Sequence, residues 1–237
     1  MRAGASRRGL LRAGTAALGA AVVSTVAGPA AAKSAARKAG GNDEDVGPGE
    51  DLMREHGVLR RVLLVYGEAA RRLEGGTDLD PEAIRKGARL IRRFIEDYHE
   101  RQEEEMVFPR FERARKLVEL VAVLRAQHLA GRQLTERVQA LATAAALKDA
   151  GQRRQLRAAL GAFIRMYEPH ASREDTVLFP ALHEIMSRSE YDALGEDFER
   201  REHRTFGADG FEQAVADVDA IERSLGIQDL ALFTPRP

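Results

Sequence analysis

The sequence predicts an all-α protein: an antiparallel up-down four-helix bundle with one or two additional C-terminal helices. Three observations lead there. Four long segments carry apolar residues at alternating steps of four and three, the spacing of an amphipathic helix seam. Short connections with Gly-Gly, Asp-Pro and similar punctuation separate them. A motif, H-x3-E-x4-F-P, occurs twice in one register, once with His99, Glu103 and Phe108-Pro109 and once with His170, Glu174 and Phe179-Pro180. One offset carries every residue of the first copy onto its counterpart in the second, which marks a duplicated unit. No segment alternates with strand period for long.

The first helix is expected over 50–74, ending at Gly75-Gly76. Its inward stripe is Leu52, His56, Leu59, Leu63, Tyr66, Ala70 and Leu73. Asp80-Pro81 announces the second, a cap followed by proline at the first helical position. Ile84, Ala88, Ile91, Ile95, His99, Glu103 and Met106 form its stripe. Pro109 should bend or end it, because proline has no backbone donor and clashes one turn back. A third helix covers 117–147, with Val121, Leu124, His128, Gly131, Val138 and Leu141 on one face. The fourth runs over 152–186 through Leu156, Leu160, Phe163, Tyr167, His170, Glu174, Val177 and Ala181. Pro169 should kink it beside His170. Ser187–Ser189 can cap a further helix to about residue 204, and Gly210–Leu225 reads as the last. Residues 229–237 look frayed. The organisation predicted is a leader over 1–32, a flexible linker over 33–49, the bundle over 50–187 and a helical appendage over 188–237.

Composition narrows the chemistry. The 237 residues hold 37 basic and 37 acidic side chains, so there is no electrostatic case for nucleic acid. With no cysteine, disulfides, thiolate catalysis, iron–sulfur clusters and cysteine zinc sites are excluded, and any transition metal must be held by nitrogen and oxygen. Ser6-Arg7-Arg8-Gly9-Leu10-Leu11-Arg12 resembles the twin-arginine export pattern. The mildly apolar run after it, 13–27, is too short for a membrane span, and Ala30-Ala31-Ala32 offers a cleavage site. An exported, periplasmic or extracytoplasmic chain without its signal peptide is therefore expected, with the twin-arginine machinery as a transient partner and no stable membrane span in the mature chain.

The repeat extends to single histidines, His56 and His128, whose offset differs by one from that of the two motif copies. Residues four apart share a helix face, so each half offers two imidazoles and one carboxylate. His56, His99, Glu103, His128, His170 and Glu174 all lie on inward stripes otherwise of Leu, Ile and Val. Burying two carboxylates among imidazoles there demands compensation, and a pair of divalent cations supplies it. Four imidazoles and two bridging carboxylates give about eight bonds, against roughly ten to twelve positions for two five- or six-coordinate irons. Open positions imply chemistry or binding rather than a purely structural role.

This constellation resembles the haemerythrin-like, HHE cation-binding family over about residues 50–186, with the two H-x3-E-x4-F-P blocks as its specific part. The resemblance implies an up-down four-helix bundle with a non-haem di-iron centre. It makes His56, His99, His128 and His170 terminal ligands and Glu103 and Glu174 bridges. Oxygen-carrying haemerythrins have one more histidine, a turn beyond the third-helix ligand. Arg132 stands there in this chain, which weighs against reversible oxygen carriage.

The function expected is metal-ion binding with two irons, manganese or zinc fitting the same donors, that engages dioxygen or a related small oxidant such as nitric oxide or peroxide. A di-iron oxidoreductase consuming peroxide or nitric oxide, iron storage or delivery, and a metal-free helical interaction module are the other readings. Glu104 and Glu105 are expected to be solvated charges, although an adjacent acid could take the bridging role. His183, thirteen residues past His170 and about 220° around a helix, is expected at the surface. His203 is expected to form an exposed i,i+4 pair with Glu199. Tyr98 and Tyr167 should pack in the core, with the Tyr167 hydroxyl as a donor towards a small ligand at the site.

Overall fold

The computed structural model describes residues 46–235, which are helical wherever they are regular; there is no strand among the described residues. No helix among the described residues is long and apolar enough to cross a membrane. The leader and most of the linker read from the sequence lie outside the described residues.

Helix α1, Pro48–Gly75, starts with proline in its first turn and with Glu50 and Asp51 at the positive end of its dipole. Gly76, at φ 66°, takes the left-handed cap that glycine adopts without steric cost. The long helix α2 begins at Pro81, where the Asp80 side chain accepts from the Glu82 amide. It is composite: Pro81–Leu90 is α-helical, Ile91–His99 π-helical, Glu100–Gln102 α-helical, Glu103–Val107 π-helical and Phe108–Ala114 α-helical. Helix α3 spans Val118–Leu141, and the short α4 is Ala144–Lys148. Helix α5, Ala150–Arg173, passes into a π-helical stretch, Glu174–Leu178. A single turn, α6 (Leu182–Ile185), precedes α7 (Arg188–Phe206) and α8 (Gly210–Leu225).

The repeated F-P dipeptide has a structural meaning. In both copies the Phe amide bonds the carbonyl of the glutamate five residues earlier, Phe108 to Glu103 and Phe179 to Glu174. This wide turn comes just before the proline that cannot donate. Pro109 consequently does not end α2, which continues to Ala114. The extra residue in the turn also shifts the buried face. Val107 and Leu178 are buried where Met106 and Val177 were expected.

Other boundaries differ too. Helix α3 stops at Leu141 rather than near 147, because the Thr143 side chain accepts from the Ala146 amide and starts a new helix. The tail is not wholly frayed: Asp229 caps a 3-10 turn, Leu230–Phe233. Ser187 caps α7 in a reciprocal box with Glu190.

Two apolar clusters form the core. The first holds Leu59, Tyr66, Ile95, Tyr98, Val138, Phe163 and Tyr167, and the second Leu52, Val107, Phe108, Val121, Leu124, Leu178 and Phe179. Helix α1 leads from the second cluster to the first, α2 from the first to the second, α3 back to the first and α5 again to the second. On each helix the switch falls at the predicted polar residues. Helix α8 adds Ala214, Val218, Ile221 and Leu225 to the first cluster, and α7 adds Leu194 and Phe198 to the second. Arg61 pairs with Glu222, and the Tyr191 hydroxyl accepts from the Gly49 amide at 3.1 Å.

Candidate metal centre

All six side chains read from the sequence converge between the two apolar clusters, and none is more than 3 % exposed. His56 and His99 face each other with their Nε2 atoms 3.1 Å apart. His128 and His170 form a second pair, ring centres 5.0 Å apart. Each carboxylate reaches one imidazole of each pair. Glu103 Oε2 lies 3.6 Å from His99 Nε2 and 3.3 Å from His128 Nε2. Glu174 Oε2 lies 3.4 Å from His56 Nε2 and 3.0 Å from His170 Nε2. His56, His99 and Glu103 bring ligand atoms within 4.8 Å of one another, as do His128, His170 and Glu174.

Four residues hold the outer edges of the imidazoles, three that the sequence reading passed over and Glu104, which it reads as a solvated charge. Nδ1 of His56 lies 2.7 Å from Asp175, that of His99 2.6 Å from Glu55, that of His128 3.0 Å from Glu104 and that of His170 2.9 Å from Gln127. An acceptor at Nδ1 fixes the tautomer that turns an Nε2 lone pair inward. Glu104 is thus no simple solvated charge: it also binds Arg132 at 2.8 Å. A local signal existed, since all four adjoin a ligand position in sequence.

Electrostatics show how demanding the cluster is without a cation. Burial, reinforced by Glu174, pushes the Glu103 carboxyl well above its usual range. For Glu174 burial acts upward, but His170 and His56 overcome it and hold the group well below its usual range. Burial would lower His56, yet its hydrogen bond to Asp175 and the carboxylate of Glu174 beside it raise it to about 9. His99 is held well below its ordinary value by burial and by His56. His128 falls to about 4 through burial, against the opposing pull of Glu104. Both oxygens of Glu103, both of Glu174 and Nε2 of His128 are buried and find no hydrogen-bond partner among the described residues. Five orphaned polar atoms around one point are a large desolvation cost, which cations at that point remove.

The remaining expectations divide. Glu105 is exposed and pairs with Arg201. His183 is exposed, its ring tilted by 31° against that of Tyr191 with ring centres 4.1 Å apart. His203 is exposed, but among the described residues it forms no ion pair with Glu199. Tyr98 and Tyr167 are core residues. The Tyr167 hydroxyl is not aimed at the centre; it donates to Glu100 at 2.7 Å. Arg132 reaches the same Glu100 at 2.9 Å, so the position of the extra histidine is filled by a guanidinium clamped between two carboxylates.

The family model for the hemerythrin HHE cation binding domain matches residues 48–182. The chain belongs to that family. Both H-x3-E-x4-F-P blocks and all six converging residues fall inside the hemerythrin match. Among its relatives are the uncharacterized protein Rv1995 of Mycobacterium tuberculosis (strain ATCC 25618 / H37Rv) and the uncharacterized protein Mb2018 of Mycobacterium bovis. Each is 53 % identical over 186 residues, spanning 78 % of this chain and 73 % of the relative. No solved structure matches significantly. The hemerythrin assignment accords with the donor set: imidazole and carboxylate, no thiolate, and unpartnered oxygens aimed at one place.

Proposed function

We propose that this is an exported, haemerythrin-like non-haem di-iron protein that engages dioxygen or a related small oxidant. One observation carries the reading. Glu103 and Glu174 are fully buried, all four of their oxygens lack a donor among the described residues, and each carboxylate spans both imidazole pairs. Two divalent cations would answer that deficit: His56 and His99 would hold one, His128 and His170 the other, and Glu103 and Glu174 would serve both. The order in which α1, α2, α3 and α5 visit the two apolar clusters supports an antiparallel up-down four-helix bundle around this centre.

Nitrogen and oxygen donors at this count suit iron, and manganese or zinc fit the same set. Ferrous ions, when bound, would supply electrons to a small oxidant. The chain's own residues do the rest. Asp175, Glu55, Glu104 and Gln127 orient the imidazoles. Phe108 and Phe179 stack on His128 and His56, with ring centres 5.4 and 5.5 Å apart, and help to exclude water. The residues 1–32 motif supports export through the twin-arginine machinery, which fractionation of an Arg7→Lys/Arg8→Lys variant tests: retention in the cytoplasm is expected.

Anaerobic purification with metal counting, followed by absorption spectra before and after air, tests the centre. Two irons per chain and a new absorption band on exposure to air are expected. A colourless zinc protein that never responds to oxidant overturns the reading. Steady turnover of peroxide or nitric oxide with a reductant would make the protein an oxidoreductase, and loosely exchanging iron would make it a storage or delivery protein.

A further inference from the structure

The hydrogen bonds behind the imidazoles repeat with the same offsets as the ligands. Glu55 and Gln127 stand immediately before His56 and His128, and each faces Nδ1 of a histidine on another helix, His99 and His170. Glu104 and Asp175 stand immediately after Glu103 and Glu174 and face His128 and His56. A strict duplication would make the two halves of the centre equal. Asp175 and Glu104 preserve that equality, each a carboxylate and each shared with a guanidinium, Arg60 and Arg132 respectively. The other pair breaks it. Position 55 carries a carboxylate and position 127 an amide. Glu55 is 2 % exposed and, among the described residues, forms no ion pair with an arginine, whereas Gln127 is half-buried.

We propose that Glu55 makes the two cation positions unequal, so that a divalent ion binds earlier and more tightly at His56 and His99 than at His128 and His170. This rests on the reading of the six residues as ligands. A carboxylate accepting from Nδ1–H makes Nε2 a stronger donor than an amide carbonyl does. Once the incoming cation displaces the Glu55 proton, the negative charge also acts at close range in a buried, weakly screened place, where the uncharged Gln127 offers nothing comparable.

The test is anaerobic titration of the metal-free full chain with Fe2+ against a chromophoric chelator. Two resolved steps, about 10- to 100-fold apart in affinity, are expected. Glu55→Gln, nearly isosteric, should weaken the tight step and merge the two. Gln127→Glu should tighten the weak step and merge them from the other side, and its half-buried position keeps this arm usable if Glu55→Gln does not fold. Equal affinities in the natural chain overturn the proposal but leave a two-ion centre standing. So does a separation that neither substitution alters, since repulsion between the ions alone would then account for it. No uptake by the natural chain overturns both.

Discussion

A Cβ built on Gly131 would lie 1.9 Å from the hydroxyl oxygen of Tyr167. The hydroxyl is seated against the α3 backbone, where it donates to Glu100 at 2.7 Å. Gly131→Ala must push the ring away, and overpacking of this kind costs about 1–3 kcal/mol. Tyr167→Phe should cost about 1–3 kcal/mol by leaving a buried acceptor short of a donor. In the double variant the costs should fall short of their sum, by about 0.5 kcal/mol or more, because the nearest clashing atom is gone and only the ring edge, with Cζ at 2.7 Å, has still to shift. Chemical denaturation of the three variants measures this, and strict additivity would contradict the contact.

Metal removal should unsettle the fold. An ion that binds only the folded chain stabilises it by about 2.7 kcal/mol at a hundred times its dissociation constant. For a domain of this size that corresponds to a fall in Tm of roughly 5–10 °C on chelation. A calorimetric scan before and after chelator decides it; coincident curves would mean that the cluster folds without cations.

The pH dependence of the metal-free protein has a definite sign. His56 is raised to about 9 by Asp175 and Glu174 against the opposing effect of burial. Burial and Glu202 raise Glu55 to about 8, and burial raises Glu100 to about 8. Groups with raised folded values give stability that is present at low pH and lost as pH climbs through those values. His128, depressed to about 4, acts the other way, but its contribution is already complete above about pH 6.5. The chelated protein should therefore lose Tm between pH 6.5 and 9. Metal uptake displaces the same protons, so affinity should rise over that interval. Parallel melting and binding series at stepped pH check both signs.

Glu103→Gln separates folding from function. It removes a fully buried acid whose two oxygens have no donor among the described residues. The metal-free variant should be as stable as the natural chain or more so, by about 1 kcal/mol. Two-ion uptake should be lost. Thermal melts with and without Fe2+ show whether the glutamate is retained against stability; a markedly destabilised metal-free variant would argue that it serves packing.

Much of this was legible in the sequence where one residue type has one local role. Asp80-Pro81, Ser187 and Gly76 mark helix ends because caps are local chemistry. Gly210–Leu225 is the helix that its spacing predicts. The six converging residues could be found because the duplication singled them out. For Glu55, Glu104, Gln127 and Asp175 the sequence offers only their adjacency to a ligand position, because each acts across a helix–helix interface on a histidine 24 to 119 residues away. Continuous helix through Ala144-Ala145-Ala146 was the natural reading of good helix formers, but the hydroxyl of Thr143 competes successfully for the Ala146 amide. Counting 3.6 residues per turn puts Met106 and Val177 inward, but the segments that carry them turn more widely.

Those wide turns have a consequence for how the protein can change. Glu103 and Glu174 each point inward from the first residue of a stretch closed by the amide of Phe108 or Phe179. Their aim is stored in main-chain register. Deleting one residue from either stretch would swing everything beyond it by about 100° about the helix axis. Exchanging outward-facing side chains there would leave the carboxylates undisturbed. Diversification of the outer surface can thus proceed freely, while insertions and deletions between each histidine and its proline are forbidden.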